Sequence, residues 1–188
     1  MSTDVEFTTA LLVVDLQQAT ASIPSVLDMA TVVANAARLA AAFRERGLPV
    51  ALITTDLNHP PVGRTAYSDR VRPAIPDAAL ALLPELGPGD DDILLGKRGW
   101  SAFAGTDLDG MLRDRGVTQV VLVGLATSYG IESTARQGYD LGYHVVIVGD
   151  AINNPQAEGH EHSMTRVFPV LAQVTITDDV LALLPAAP

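Results

Sequence analysis

The 188-residue chain contains no cysteine, so it has no disulfide, no thiolate metal site and no thiol for covalent catalysis. Aromatic residues make up only 5% and charged residues 18%, against 48% hydrophobic, a balance that suits a heavily buried sheet. Cations are scarce, with 12 Lys and Arg against 22 Asp and Glu. The formal charge of -10, without any basic stripe, argues against nucleic acid as a partner. No uninterrupted apolar run reaches membrane-spanning length, so no membrane partner is expected. Asp4 and Glu6 precede the first apolar run, so no signal-peptide pattern opens the chain and a cytoplasmic location is the expectation. The run Asp90-Asp91-Asp92 reads as a solvated loop.

What is present is an alternation of short apolar runs and amphipathic stretches, without internal repeat or linker, over one domain spanning residues 1–188. Leu11 to Val14 reads as a buried strand ending at Asp15. Ser25 predicts a helix cap with Asp28 at the third helical position, and Leu27, Ala30, Ala34, Ala37 and Ala41 share one face up to a stop at Gly47. Leu48 to Thr54 and Ile93 to Leu95 are further strands, separated by a loop-rich connection over 59–89 with one short helix, a candidate wall or lid of a site. Thr106 predicts the cap of a helix carrying Leu108, Met111 and Leu112. A fourth strand runs from Val120 to Val123, a helix from Thr127 to Leu141, and a fifth strand from His144 to Val148. Pro155 favours the start of a helix over 157–167; a sixth strand near 170–176 and a closing helix from Asp178 follow.

Strands alternating with helices imply an α/β fold with a parallel sheet covered on both faces, three layers in all. Such sheets bind ligands beyond the carboxyl ends of their strands. Asp15, Lys97 and the Gly124–Gly130 segment each follow a strand, so three distant parts of the sequence converge on one edge. An aspartate there can be held charged by a neighbouring ammonium or kept protonated by burial, which makes Asp15 an acid/base candidate and Lys97 its electrostatic partner and a clamp for an anion. A structural ion pair is the plainer reading. Backbone amides over 127–131, at a helix start, are candidates to face a carboxylate or oxyanion, or simply to be capped. Trp100, Phe103 and Tyr129 are pocket or core aromatics, with Trp100 and Tyr129 the better pocket candidates because their polar tips need partners. Arg64, in the long connection, is either a carboxylate binder or a surface residue.

Three phrases carry a family resemblance: Leu12-Val13-Val14-Asp15-Leu16-Gln17, Lys97-Arg98-Gly99-Trp100-Ser101-Ala102-Phe103, and Gly124-Leu125-Ala126-Thr127-Ser128-Tyr129-Gly130-Ile131-Glu132-Ser133-Thr134-Ala135-Arg136. Together with Asp150-Ala151 and the 153–162 stretch, they resemble the isochorismatase-like cysteine hydrolases over nearly the whole chain. The resemblance implies a six-stranded sheet of order 3-2-1-4-5-6, a homo-oligomer (dimer or tetramer) and a small-molecule substrate. It assigns catalysis to Asp15 and Lys97, and places Gly130 where the family's cysteine stands. Substrate-facing positions by the same resemblance and the layout above are Gln17, Thr55, Arg64, Trp100, Ala126, Thr127 and Tyr129. The family's cis peptide before a threonine maps to Ala126–Thr127.

Glycine cannot attack, and its missing side chain implies a widened site that water or substrate can enter. Thr127 and Ser128 are nearby hydroxyls, but no histidine partner for them is visible in the sequence. The resemblance extends to family members with glycine at this position, the isochorismatases, in which the aspartate protonates a vinyl-ether carbon and water completes cleavage. Those enzymes usually carry glutamine where this chain has Thr55, which leaves the substrate open. The expectation is thus a hydrolase acting on a small anionic cyclic molecule by Asp-mediated acid/base chemistry. The alternatives are a catalytically inactive binding or scaffolding protein on the same fold, or a natural cysteine replaced by Gly130.

Asp56, His59, His160 and His162 are the metal-ligand candidates, but residues two apart on a helix diverge by roughly 200°, so His160 and His162 would not share an ion. The family's metal-binding nicotinamidases carry Asp-x-His where this chain has Asp56-Leu57-Asn58, and no metal is expected. No Gly-x-Gly-x-x-Gly follows a strand, so no nucleotide or other cofactor is expected either.

Overall fold

Six apolar runs become six parallel strands: β1 (Thr9–Val14), β2 (Val50–Thr55), β3 (Ile93–Lys97), β4 (Gln119–Leu125), β5 (His144–Asn153) and β6 (Gln173–Thr175). Their order is β3-β2-β1-β4-β5-β6, as expected, with β1 between β2 and β4. The computed structural model describes residues 8–59 and 73–186. The helices are α1 (Gln18–Ala21), α2 (Met29–Arg44), α3 (Asp77–Leu80), α4 (Leu108–Arg113), α5 (Glu132–Asp140), α6 (Ala157–His162), α7 (Phe168–Leu171) and α8 (Thr177–Leu183).

Because successive strand side chains point to opposite faces, β1 feeds two cores. Leu11 and Val13 join Val33, Ala36, Leu39 and Phe43 of α2 and Val180 of α8. Ala10, Leu12 and Val14 join Leu108 and Leu112 of α4, Ala135 of α5 and Phe168 of α7. The central strands are therefore apolar on both sides, and all six residues of β1 and all seven of β4 are buried.

Several local expectations are corrected. Asp28 is itself the cap of α2, its side chain accepting from the Thr31 amide at 3.1 Å, while the Ser25 hydroxyl donates to the Ile23 carbonyl. Asp107 stands at the backbone cap position of α4 without a side-chain cap bond, and the Thr106 hydroxyl, which donates to the Ala102 carbonyl, accepts from the Leu108 amide at 3.4 Å. The helix expected over 157–167 runs on to Leu171 through a π-helical segment, Ser163–Val167, and β6 shortens to three residues. Pro169 explains the irregularity, since its ring and missing N–H disfavour regular α-helical bonding in the turn before it. The segment 127–131 is likewise a π-helical turn, with the Ile131 amide donating to the Ala126 carbonyl five residues back. The cis peptide is Leu125–Ala126, one bond earlier than the Ala126–Thr127 expected.

Gly124 lets this turn begin where it does. Its φ is +113°, and an added Cβ would lie 2.0 Å from the carbonyl oxygen of Val14, so no other residue fits this backbone beside β1.

Candidate active site

Asp15 follows β1 immediately and takes the left-handed conformation, φ 56°, which aspartate tolerates better than most residues. Its amide donates to the Ile53 carbonyl on β2, and the Thr20 hydroxyl donates to its carbonyl. The side chain is buried at the carboxyl end of the sheet. Lys97, the last residue of β3, reaches across with Nζ 2.8 Å from Asp15 Oδ2 and 3.2 Å from the Gly99 carbonyl; only 2% of the lysine is exposed. Asp15 Oδ1 has no hydrogen-bond partner, one of two buried side-chain polar atoms so placed among the described residues. Burial pushes the Asp15 carboxyl up to about 6, with the Lys97 ammonium pulling the other way. An acid poised there, with one free oxygen, can exchange a proton near neutral pH.

Gly130 lies beside this carboxyl. An added Cβ would stand 2.8 Å from the Leu125 carbonyl oxygen, 3.2 Å from Asp15 Oδ2 and 3.5 Å from Val14 Cγ1. The expected widening is therefore not what glycine provides. Its bare α-carbon lets the turn close against β4 and Asp15, and the space a side chain would need is taken. The other end of the turn faces α6. The Thr127 hydroxyl and His160 Nδ1 are 2.9 Å apart, and Asn154 Oδ1 accepts from both the amide and the hydroxyl of Ser128. A histidine partner for the turn thus exists, 33 residues on in the sequence. It is invisible to local spacing because the fold, not the chain, brings α6 to the turn. Burial lowers the pKa of His160, which favours its neutral ring.

Three amides of the turn are committed internally: Ser128 to Asn154, and Tyr129 and Ile131 to the Ala126 carbonyl. They drop out of the group expected to face an anion. Gln17 is fully buried, and its amide clamps β2. Nε2 donates to the carbonyls of Thr55 and Leu80, and Oε1 accepts from the Thr55 amide, so this side chain braces the site's wall. Thr55, half-buried, pairs in register with Lys97. Trp100 and Tyr129 meet edge to face with centroids 5.3 Å apart and are 61% and 43% exposed, which sets them on the rim rather than in the core; Phe103 is core, stacked on Tyr143. Ala126 is half-buried at the start of the turn. Arg64 lies outside the described residues. Among the described residues no cluster of three His, Cys, Asp or Glu could hold a metal; His160 faces Thr127 while His162 is exposed.

Size does not mark this site. One cavity of about 610 Å³ opens at the amino ends of the strands near Thr8, Arg44 and Asp92, and another of about 670 Å³ lies beside His160, Met164 and Ile176. Neither is lined by Asp15 or Lys97. What singles out the carboxyl edge is the buried acid with an unsatisfied oxygen. No helix among the described residues is long and apolar enough to cross a membrane.

Comparison with known proteins agrees with this geometry. Residues 9–179 match the isochorismatase domain. The isochorismatase family protein YecD of Escherichia coli O157:H7 is 39% identical over 187 residues, covering 93% of this chain and 95% of its own length. Ureidoacrylate amidohydrolase RutB of Pseudomonas syringae pv. syringae is 32% identical, covering 80% of this chain and 72% of its own. Among solved structures, an isochorismatase family protein from Burkholderia thailandensis superimposes with a TM-score of 0.86 at 38% identity, covering 96% of this chain and 97% of that one. N-carbamoylsarcosine amidase from Thermoplasma acidophilum gives 0.75 at 27% identity, covering 90% and 96%. The chain belongs to the isochorismatase family and is a hydrolase of that family.

Proposed function

We propose that this hydrolase cleaves a small, anionic cyclic enol ether without covalent catalysis, Asp15 acting first as general acid and then as general base. The supporting observation is the Asp15 carboxyl: buried, tied to Lys97 through Oδ2, unpartnered at Oδ1 and raised to about 6. Protonated Asp15 gives its proton to the terminal carbon of the C=C–O unit, forming an oxocarbenium ion. Water adds to the oxygen-bearing carbon and loses a proton to the Asp15 carboxylate. The hemiketal then collapses to a ketone and an alcohol, leaving Asp15 protonated for the next turnover. Atoms balance with one water consumed, and no nucleophile is needed at Gly130.

The preference for an anion comes from Lys97. An ammonium has three donors, and Asp15 and Gly99 use two. When Asp15 carries a proton, the buried ammonium loses its counter-charge, and a substrate carboxylate supplies one. Substrate binding and Asp15 protonation then reinforce each other. Trp100 and Tyr129 on the rim offer aromatic surface to the ring of a cyclic substrate.

The purified protein should release pyruvate from isochorismate or another enolpyruvyl ether, read by coupling to lactate dehydrogenase, and Asp15→Asn should abolish it. Losing general acid catalysis costs on the order of 10²–10⁴ in rate. An ureido or N-carbamoyl amide belongs in the same panel, because the relatives RutB and N-carbamoylsarcosine amidase bear amidohydrolase and amidase names. Amide cleavage without any action on enol ethers overturns the proposed substrate class. Saturable binding of the enol ether with no product favours a binding protein on this fold.

A further inference from the structure

The turn from Thr127 to Ile131 has two faces. One meets the acid: a Cβ added at Gly130 would lie 2.8 Å from the Leu125 carbonyl oxygen and 3.2 Å from Asp15 Oδ2. The other meets α6, where His160, Gly159 and, just before the helix, Asn154 receive it. Thr127 is fully buried, and its hydroxyl pairs with His160 Nδ1 at 2.9 Å. Ser128 is tied twice to Asn154, whose Nδ2 donates on to the Gln156 carbonyl at 2.8 Å. At Gly159 an added Cβ would lie 2.9 Å from Ser128 Oγ and 3.0 Å from Asn154 Nδ2, so the helix approaches the turn as closely as backbone permits. The turn is five residues long and closed by Ala126 and Leu125. Movement at Thr127 is therefore passed to Gly130, with little slack between.

We infer that His160 is a positioning residue of this hydrolase: by holding the Thr127 hydroxyl it fixes the turn against α6, and so fixes where Gly130 meets Asp15. His160 touches neither Asp15 nor Lys97 by any hydrogen bond; it acts through Thr127. The kinetic part of this inference rests on the acid hydrolysis proposed above, and its spectroscopic part does not. The chain has one tryptophan, Trp100, which meets Tyr129 of this same turn edge to face at 5.3 Å. Trp100 is thus a built-in reporter of the turn's position.

The test compares His160→Ala with His160→Asn, whose amide can occupy the place of Nδ1, and Thr127→Val with Thr127→Ser, which differ in the hydroxyl. Enol-ether hydrolysis, Trp100 emission with its near-ultraviolet dichroism, and far-ultraviolet dichroism are recorded for each. His160→Ala should lower kcat on the order of 10–100-fold with KM within about threefold, the size expected for misplacing a catalytic group by an ångström or less. The Trp100 spectrum should shift in parallel. His160→Asn should restore both readouts, Thr127→Val should match His160→Ala, and the double variant should be no worse than either single. Wild-type kcat and an unshifted Trp100 spectrum in His160→Ala overturn the inference. So does a defect shared equally by His160→Ala and His160→Asn, which points to packing alone. Should His160→Ala fail to fold, Thr127→Val against Thr127→Ser decides the same bond from its other side. If the wild type cleaves no enol ether, the acid reading fails by itself and the Trp100 spectra alone decide this one.

Discussion

Asp15→Asn should make the protein more stable while removing its activity. Asparagine keeps the shape of a protonated aspartate and is among the residues that best tolerate the φ of 56° found here, so the backbone is unperturbed. The carboxylate it removes is held at a cost. The folded-state pKa is raised from 3.8 to about 6, burial outweighing the pull of Lys97. The folded state therefore keeps its proton to higher pH than the unfolded chain does. The stability linked to that proton is fully present below about pH 4 and is lost as pH rises through about 6. The loss by pH 8 is roughly 3 kcal/mol. The substituted amide does not titrate, so the variant escapes it: near pH 4 the two proteins should unfold alike, and by pH 8 the variant should be ahead by up to that amount. For a chain of this size the gap corresponds to a Tm difference on the order of 10 °C. Urea unfolding of both proteins at pH 4, 6 and 8 measures it. The opposite sign refutes the reasoning. If Asp15 were a structural partner of Lys97, its removal would strand a buried ammonium and destabilise the fold, by about 3–5 kcal/mol for a broken buried pair.

Other consequences are separable from this one. In the wild type kcat/KM should be flat below about pH 6 and fall tenfold per pH unit above it, since only protonated Asp15 can donate; a rate that rises through pH 6 contradicts the acid role. Lys97→Met removes the ammonium that lowers the Asp15 pKa, so the inflection should move to higher pH while KM for an anionic substrate rises; an unmoved inflection in the pH–rate profile refutes the coupling. Gly130→Ala places a Cβ 2.8 Å from the Leu125 carbonyl and should cost about 1–3 kcal/mol by overpacking. It should also push on Asp15, and denaturation plus the enol-ether assay on the folded variant read both effects; a variant as stable and active as wild type shows that the turn has slack.

Much of the sheet was legible because its signal is local. Each central strand is a run of apolar residues buried on both faces, so the layering follows from alternation, whereas the strand order came from the family resemblance. The apolar face expected on α2 through Leu27, Ala30, Ala34 and Ala41 is exposed; the bulkier Val32, Val33, Leu39 and Phe43, with Ala36 and Ala40, are the buried ones. Asp15 and Lys97 were legible for the same reason: a parallel sheet gathers whatever follows its strands. The helix ends were less so. Ser25 and Asp28 both have capping chemistry, and only the backbone's path decides that Asp28 takes the Thr31 amide. The helix through Pro169 contradicts the residue's own preference, and tertiary packing of Val167 and Phe168 into the core carries the chain past it. His160 was out of reach for a different reason. Its partner is set by how α6 docks on the turn, a three-dimensional fact with no periodicity behind it.

Gly130 shows how a residue type can be read correctly and its consequence wrongly. A missing side chain suggests empty space. In a close-packed interior the neighbouring backbone moves into that space, because unfilled volume forfeits contacts. Here the turn has closed until a Cβ would overlap the Leu125 carbonyl, and the Asp15 carboxyl sits 3.2 Å from where that atom would be. Just before the turn, near the end of β4, Gly124 meets β1 so closely that it too admits no side chain. The room for a side chain at position 130 is thus bounded by the Leu125 carbonyl on one side and the Asp15 carboxyl on the other, so any substitution there acts on β4 and on the acid together.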